Sequence, residues 1–255
     1  MSLGGRSALV TGGGRGIGAA TAMALAEAGA AVTVASRDPA QIAHVTAEIQ
    51  ARGHTAFGFP CDVSVEAEVE ELIQSTRGAL GQIDILVNNA GTASSSPLGR
   101  TTTEEWERIM AVNATGTFLC TRAVFDSMVG RGWGRVVNVA STTGLKGGRY
   151  ITAYTAAKHA VVGFTRSAAE EASGTGVSVS AVCPGYVDTP LTDQTIQNIV
   201  KRTGKSEEQA RAAILKHSGQ SRLIEPGEVA SAIVELCLGG PERNGELVVL
   251  DGKEA

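Results

Sequence analysis

The stretch SALVTGGGRGIGAATAMALAEAGAAVTVASRD, residues 7–38, decides the fold. Ser7–Val10 is a short apolar run that reads as a strand. The glycine-rich turn TGGGRGIG, residues 11–18, comes next. Gly16–Ala28 reads as an alanine-rich helix stopped by Gly29, and Ala31–Ala35 reads as a second strand. Strand, turn, helix and strand in this order make the repeating unit of a parallel sheet. Gly12, Gly16 and Gly18 follow a G-x-x-x-G-x-G spacing, not the G-x-G-x-x-G of the common dinucleotide fingerprint. The physics is the same. Glycines let the backbone approach a pyrophosphate closely, and a helix N-terminus offers free N–H groups and positive potential.

The alternation continues outward. Pro39–Ala51 reads as a helix, with Pro39 in its favoured first turn and Gly53 just past the end. Thr55–Phe59 reads as a third strand. Val65–Leu80 reads as a helix, with Ser64 expected as its N-cap. Ile83–Val87 is purely branched aliphatic, as a strand buried on both faces requires. Thr103–Val129 reads as one long helix, Arg135–Ala140 as a strand, Tyr154–Ala172 as a helix and Val177–Val182 as a strand. Glu228–Leu238 and Glu246–Leu250 complete the series as helix and strand. The pattern predicts one α/β domain over residues 1–255. It is a doubly wound (Rossmann) parallel sheet of about seven strands with helices on both faces. One segment breaks the rhythm. Residues 190–224 are long, polar and helix-prone, which suits a substrate-covering lid within the domain; a plain surface insertion is the other reading.

Composition narrows the function. The 255 residues fit one large core; 43% are hydrophobic and 4% aromatic, so that core must be built from Ala, Val, Leu and Ile. Net charge is −4 and no basic stripe alternates with aromatics, which argues against nucleic acid. No apolar run approaches the ~18 residues of a membrane span. The N-terminus enters a strand at once, so no signal peptide is expected. Cys61, Cys120, Cys183 and Cys237 form no C-x-x-C pair, which fits reduced thiols in the cytoplasm. His44, His54, His159 and His217 lack metal-ligand spacing, so no metal is expected.

The chemistry is carried by YTAAK, where Tyr154 and Lys158 are one helical turn apart, and by Ser141, which closes RVVNVAS thirteen residues before the tyrosine. Reducing a ketone needs a proton on oxygen as hydride reaches carbon. Free tyrosine, with a pKa of about 10, holds its proton too firmly to cycle well. An ammonium at i+4 and a helix N-terminus both stabilise phenolate and are expected to lower that pKa. His159 falls on another helix face, about 100° around, and is expected to pack or meet an interface.

TGGGRGIG, Asn113 in NATG, the NNAG run at residues 88–91, Ser141 and Tyr154-x-x-x-Lys158 occur in the order of the short-chain dehydrogenase/reductase family. The chain resembles that family from about residue 6 to 252. The resemblance implies a catalytic set of Asn113, Ser141, Tyr154 and Lys158. Asn113 would kink the long helix and hold a water of the proton relay. Ser141 would place the substrate oxygen, and Lys158 would also bind the nicotinamide ribose. The implied cofactor contacts begin with Gly12, Arg15, Gly16, Ile17 and Gly18 at the glycine turn. Asp62 would meet the adenine amino group, with Val63 flanking the ring. Asn89, Ala90 and Gly91 would let the cofactor pass, and Pro184, Gly185, Val187 and Thr189 would hold its nicotinamide end.

The family places the ribose-binding acid of NAD users where this chain has Ser36, followed by Arg37. That pair suits a 2′-phosphate, since guanidinium binds phosphate bidentately, so NADP(H) is favoured. Asp38, shifted by one or two residues, would instead serve NAD(H). The site walls are expected from residues 94–98 and 142–151, Tyr186 and the lid, with Thr142, Leu145, Ile151, Tyr186 and Leu191 giving a mixed pocket. Lys146, Arg149, Lys201, Arg202 and Lys205 would attract a phosphate-bearing acyl thioester, or simply form solvated faces.

Similarity to 3-oxoacyl reductases, polyketide ketoreductases and 3-hydroxybutyrate dehydrogenases implies NADPH-dependent reduction of a β-ketoacyl substrate. An NAD-dependent 3-hydroxyacyl or secondary-alcohol dehydrogenase is the alternative. A non-catalytic dinucleotide-binding regulator is the alternative of another class; the intact set of four argues against it. The end of the chain departs from the family, with Asp251-Gly252-Lys253 in place of Asp-Gly-Gly. Apolar residues on several faces of the long helices (Ala157, Val161, Phe164) imply a homo-oligomer, a tetramer or a dimer.

Overall fold

The structure, a computed structural model, describes residues 2–253. Ala255, where the sequence stops, lies outside them. Seven strands, β1 (Ser7–Thr11), β2 (Ala31–Ser36), β3 (Ala56–Pro60), β4 (Ile85–Asn88), β5 (Gly134–Val139), β6 (Val177–Pro184) and β7 (Leu247–Leu250), form one sheet. Their order is β3-β2-β1-β4-β5-β6-β7, and every pair is parallel. The order reverses between β1 and β4, which opens a crevice at the carboxyl ends of the strands.

Helices cover both faces, as parallel strands buried on both sides require. Helix α1 (Gly16–Glu27), α2 (Pro39–Ala51) and, later in the chain, α9 (Pro226–Leu238) lie on one face; α1 and α9 pack together over β1 and β5. Helix α3 (Glu66–Leu80), α4 (Thr103–Met110), α5 (Gly116–Arg131) and α6 (Thr152–Ala172) cover the other. Val10, Val34, Val87 and Val137 feed the first core, while Leu9, Leu86, Val136 and Val179 feed the second. The period-two alternation of each strand serves two cores at once.

Residues 190–224 leave this frame as α7 (Pro190–Thr203) and α8 (Glu207–Ser218). Ile196, Ala210, Ile214 and Leu223 give this excursion a small core of its own. Its two ends are stitched: Val187 bridges Ile224, and the Asp188 N–H donates to the Ile224 carbonyl at 2.8 Å.

Three local expectations change. The expected helix from 103 to 129 is interrupted by a wide π-type turn at Ala111–Thr115, and its last part runs on to Arg131. Ser64 does not cap α3. Its N–H and Oγ are held by Asp62 at 3.0 and 2.6 Å, leaving Val65 as the cap residue. Ala157 and Val161 are buried inside the fold and offer nothing to a second subunit. Phe164 instead meets Phe118 edge-on, with ring centres 6.3 Å apart, and Phe118 is 41% exposed.

Candidate active site

The crevice floor is made by two turns tied together. Thr11 Oγ1 accepts from the N–H groups of Asn89 and Ala90 at 3.1 and 3.2 Å, and Asn89 Nδ2 donates to the carbonyls of Thr11 and Gly12 at 3.0 Å each. The approach is tight. A Cβ on Gly12 would lie 2.8 Å from Ala90 Cα, and one on Gly18 would lie 2.2 Å from the Gly12 carbonyl oxygen. Gly12 and Gly16 have φ of 62° and 54°, in the left-handed region that favours glycine. Arg15 caps α1 with extended backbone and no side-chain hydrogen bond. The first N–H groups of α1 are therefore open to an anion. Ile17 leans on the α1-side core, and Thr189 faces Gly16 across the cleft, 3.1 Å from where its Cβ would stand.

Ser36, Arg37 and Asp62 gather at the carboxyl ends of β2 and β3. Arg37 Nη1 stands 3.7 Å from Asp62 Oδ2, and the arginine side chain is 73% exposed. Burial alone would raise the Asp62 pKa; hydrogen bonds from Ser64 and the nearby Arg37 hold it below the usual range. Asp38 is committed elsewhere. Its Oδ1 accepts from the N–H groups of Ala40 and Gln41 at 2.9 and 3.4 Å and caps α2. Val63 is buried under α5, where a Cβ on Gly116 would come 2.7 Å from its Cγ2.

Past the switch point, β4, β5 and α6 bring the remaining groups together. Asn113 is 1% exposed inside the π-type turn. Its Nδ2 donates to the carbonyls of Thr92 and Ile109 at 2.8 and 2.9 Å, and its Oδ1 faces Gly91. The wide turn fits this side chain, because it reaches a backbone carbonyl within its own helix as well as the loop after β4. Ser141 lies two residues past β5, caps the short 3-10 turn at Thr142–Gly144 and is a hydrogen-bond partner of Tyr154. Its Oγ also accepts from Thr143 N and Oγ1 at 3.1 and 2.9 Å. Lys158 is 4% exposed; its Nζ donates to the Val139 carbonyl at 2.8 Å and lies 5.7 Å from the Tyr154 ring centre.

Burial opposes the expected lowering of the Tyr154 pKa. Burial pushes the Tyr154 phenol up to about 12, with the Ser141 hydrogen bond acting the other way and Tyr186 adding to the rise. Burial also pulls the Lys158 ammonium down to about 8. Lys158 sits against Val139 and the tyrosine ring, so in the protein by itself desolvation outweighs its attraction for a phenolate.

Pro184 and Gly185 continue β6 to the cleft, and the Gly185 N–H donates to the Leu250 carbonyl at 2.8 Å. Val187 is buried at the stitched base of the excursion. The ring of Tyr186 packs on the excursion's core. Residues 94–98 lie beside residues 142–151 and the excursion: the Ser96 N–H donates to the Tyr150 carbonyl at 2.7 Å, and Arg202 Nη1 donates to the Ser95 carbonyl at 2.7 Å. Lys146, Arg149, Lys201 and Lys205 are exposed. His159 is exposed with Nδ1 at 2.9 Å from the Thr155 carbonyl, on another face from Lys158.

Three residues that matter here were not singled out by sequence. Thr143 supplies a second hydroxyl beside Ser141. Asn138, fully buried, accepts from Asn88 Nδ2 and donates to Thr165 Oγ1 at 2.9 Å each. Its signal was an amide inside an apolar strand. Gln220 is 7% exposed and holds Tyr186 from both sides; no spacing marked it. Among the described residues no cluster of metal-binding side chains occurs, and no helix is long and apolar enough to cross a membrane.

A family model described as short chain dehydrogenase matches residues 6–199. D-beta-hydroxybutyrate dehydrogenase of Cupriavidus necator is 38% identical over 92% of this chain and 91% of that protein. The 3-oxoacyl-[acyl-carrier-protein] reductase of Synechocystis is 42% identical over 73% of this chain and 76% of its own. The structure superposes on that of an actinorhodin polyketide ketoreductase variant with NADPH at a TM-score of 0.92 and 34% identity, covering 97% and 96% of the two chains.

Proposed function

The chain belongs to the short-chain dehydrogenase family of NAD(P)-dependent oxidoreductases, and on that premise we propose that it reduces a β-ketoacyl substrate with NADPH. Residues 2–253 would act as one catalytic unit, with the α7–α8 excursion as its substrate lid. The observation that carries the reading is the convergence of Ser141, Tyr154 and Lys158 at the carboxyl end of β5, beside the glycine-lined floor.

The floor fits a dinucleotide. A side chain at Gly12 or Gly18 would fill the space against Ala90 and the first turn, and the α1 N–H groups are uncapped. The glycine turn and Arg15 would hold the pyrophosphate, Asp62 and Val63 the adenine, and Asn89, Ala90, Gly91, Pro184, Gly185, Val187 and Thr189 the nicotinamide half. Bound there, the nicotinamide supplies the hydride. The protein's part is the proton. Ser141 donates to the substrate oxygen and orients it toward the Tyr154 hydroxyl. A phenol raised to about 12 holds its proton at neutral pH, the state an acid needs before reduction. Lys158, beneath the ring, steadies the charge left on oxygen after transfer and binds the ribose. Asn113 braces the loop after β4.

Cofactor preference follows from charge. Ser36 carries no charge to repel a 2′-phosphate, Arg37 is 73% exposed and can turn from Asp62 toward one, and Asp38 is occupied as a helix cap. These features support NADPH over NADH. The similarity to a hydroxybutyrate dehydrogenase over 92% of the chain favours a second reading, NAD-linked oxidation of a 3-hydroxyacyl substrate at the same residues. Four buried free thiols fit a cytoplasmic setting. Phe118, exposed and edge-on to the half-buried Phe164, supports a homo-oligomer, a tetramer or a dimer.

The test compares wild type with Tyr154→Phe on acetoacetyl thioesters, with NADPH and NADH binding followed by fluorescence. We expect tighter NADPH binding by tenfold or more, about 1.4 kcal/mol. Turnover in the variant should fall by at least ~10²-fold with cofactor affinity unchanged. Retained turnover would remove Tyr154 from the acid–base role, and tighter NADH binding would favour the second reading.

A further inference from the structure

We infer that Gln220 is a positioning residue for the hydride-transfer site, holding Gly185–Tyr186, the exit of the excursion and the chain after β7 as one piece. The inference rests on the proposed function. Gln220 follows α8 and the left-handed Gly219, and its own N–H donates to the Leu215 carbonyl at 3.0 Å. Its side-chain Oε1 accepts from the Tyr186 N–H at 2.7 Å. Its Nε2 donates to the Tyr186 and Arg222 carbonyls at 3.1 Å each. The primary amide thus uses its acceptor and both donors. It pairs with the N–H and C=O of one residue, as a neighbouring strand would. Real backbone continues the same ladder: the Ile224 N–H donates to the Tyr186 carbonyl at 3.0 Å, and Val187 bridges Ile224.

The amide is also wedged. A Cβ on Gly185 would lie 2.5 Å from Oε1, and one on Gly252 would lie 2.8 Å from Nε2. Ser221 closes the far side, where its N–H and Oγ donate to the Gly252 carbonyl at 3.2 and 2.9 Å. The family's usual Asp-Gly-Gly is altered in this chain, yet its first glycine still meets the excursion.

What is held matters for the reaction. Pro184–Gly185 is the wall offered to the nicotinamide end, and the Tyr186 phenol is near enough to Tyr154 to influence its ionisation. Gln220 touches neither cofactor nor substrate, so it acts through Tyr186. Other side chains fail on chemistry. Glutamate lacks both donors when ionised, asparagine falls one methylene short, and leucine leaves the Tyr186 N–H unpaired.

The experiment uses the full chain as wild type, Gln220→Leu and Gln220→Glu. It measures kcat and KM on an acetoacetyl thioester, affinity for NADPH, and affinity for 2′-phospho-ADP-ribose, which lacks the nicotinamide. For Gln220→Leu we expect kcat/KM and NADPH affinity to fall by about tenfold, with fragment affinity changed less than about twofold. Gln220→Glu should recover activity relative to wild type as pH falls and its carboxyl regains a donor. If Gln220→Leu folds poorly, that pH profile decides alone. Unchanged kcat/KM in both variants, or equal losses for cofactor and fragment, would overturn the inference. A wild type that transfers no hydride would sink the functional reading instead, while the cofactor-against-fragment comparison would still decide Gln220.

Discussion

Lys158 shows what burial does to one charge. It is 4% exposed, donates to a carbonyl and has no carboxylate among its described contacts. Its pKa is drawn from 10.5 to about 8. Below pH 8 both the folded and the unfolded chain carry the proton, and the fold bears the full cost of the buried ammonium. Between 8 and 10.5 the unfolded chain binds more protons than the folded one, so stability rises with pH. Denaturant unfolding of wild type and Lys158→Met should therefore differ by an amount that changes by up to ~3 kcal/mol across that window. Thiols and phenols remote from Lys158 act in both proteins and cancel; Cys183, which interacts with Lys158, is replaced by Ser in both proteins. A flat difference would mean that the ammonium is not desolvated in solution. Sequence spacing located the Tyr154–Lys158 pair but not the burial that raises the phenol and lowers the ammonium. Four residues along a helix place two side chains on one face; which carbonyl an ammonium then chooses depends on how β5 ends beneath it.

At the scale of elements, α6 is held against the end of β5 by a short turn with no room to spare. A Cβ on Gly144 would stand 2.7 Å from the Lys158 carbonyl oxygen, a backbone atom that cannot step aside. Gly144→Ala should cost about 1–3 kcal/mol in thermal unfolding. It should also lower turnover by shifting Lys158 relative to Ser141; unchanged stability would show that α6 can slide. Strands and most helices are legible because their apolar periods are strong: β4 is ILVN, buried throughout, and α9 starts two residues before the expected Glu228 and ends at the expected Leu238. What escaped depends on partners distant in sequence. Ser64 looks like a cap until Asp62 claims it. Asn113 was marked, but the π-type turn around it requires the Thr92 carbonyl to arrive from another loop. Gln220 lies in a polar stretch without periodicity, and its importance appears once Tyr186, Arg222 and Gly252 converge on it.

For the molecule as a whole, the frame and the excursion differ in how they are held. Across the frame runs a buried polar chain, Thr121 to Asn88 to Asn138 to Thr165, which joins α5 and α6 through two strands. A one-residue slip of β4 or β5 would break it. The excursion has a small core and rests on the body through Arg202 and the Ser95 carbonyl. Limited trypsin digestion should cut first at Lys201, Arg202 or Lys205, and a bound ketone with cofactor should slow the cut. First cleavage within the sheet connections would reverse this ranking. The stitched base has a wider meaning. Val187 and Ile224 meet as neighbours, so the chain between them begins and ends at a fixed socket. Lengthening such a closed insert adds little entropy cost, about 0.6 kcal/mol per doubling. A different segment could be plugged into the same socket without moving Ser141, Tyr154 or Lys158, so under the proposed function substrate range would change as an exchangeable cassette while the chemistry stays in place.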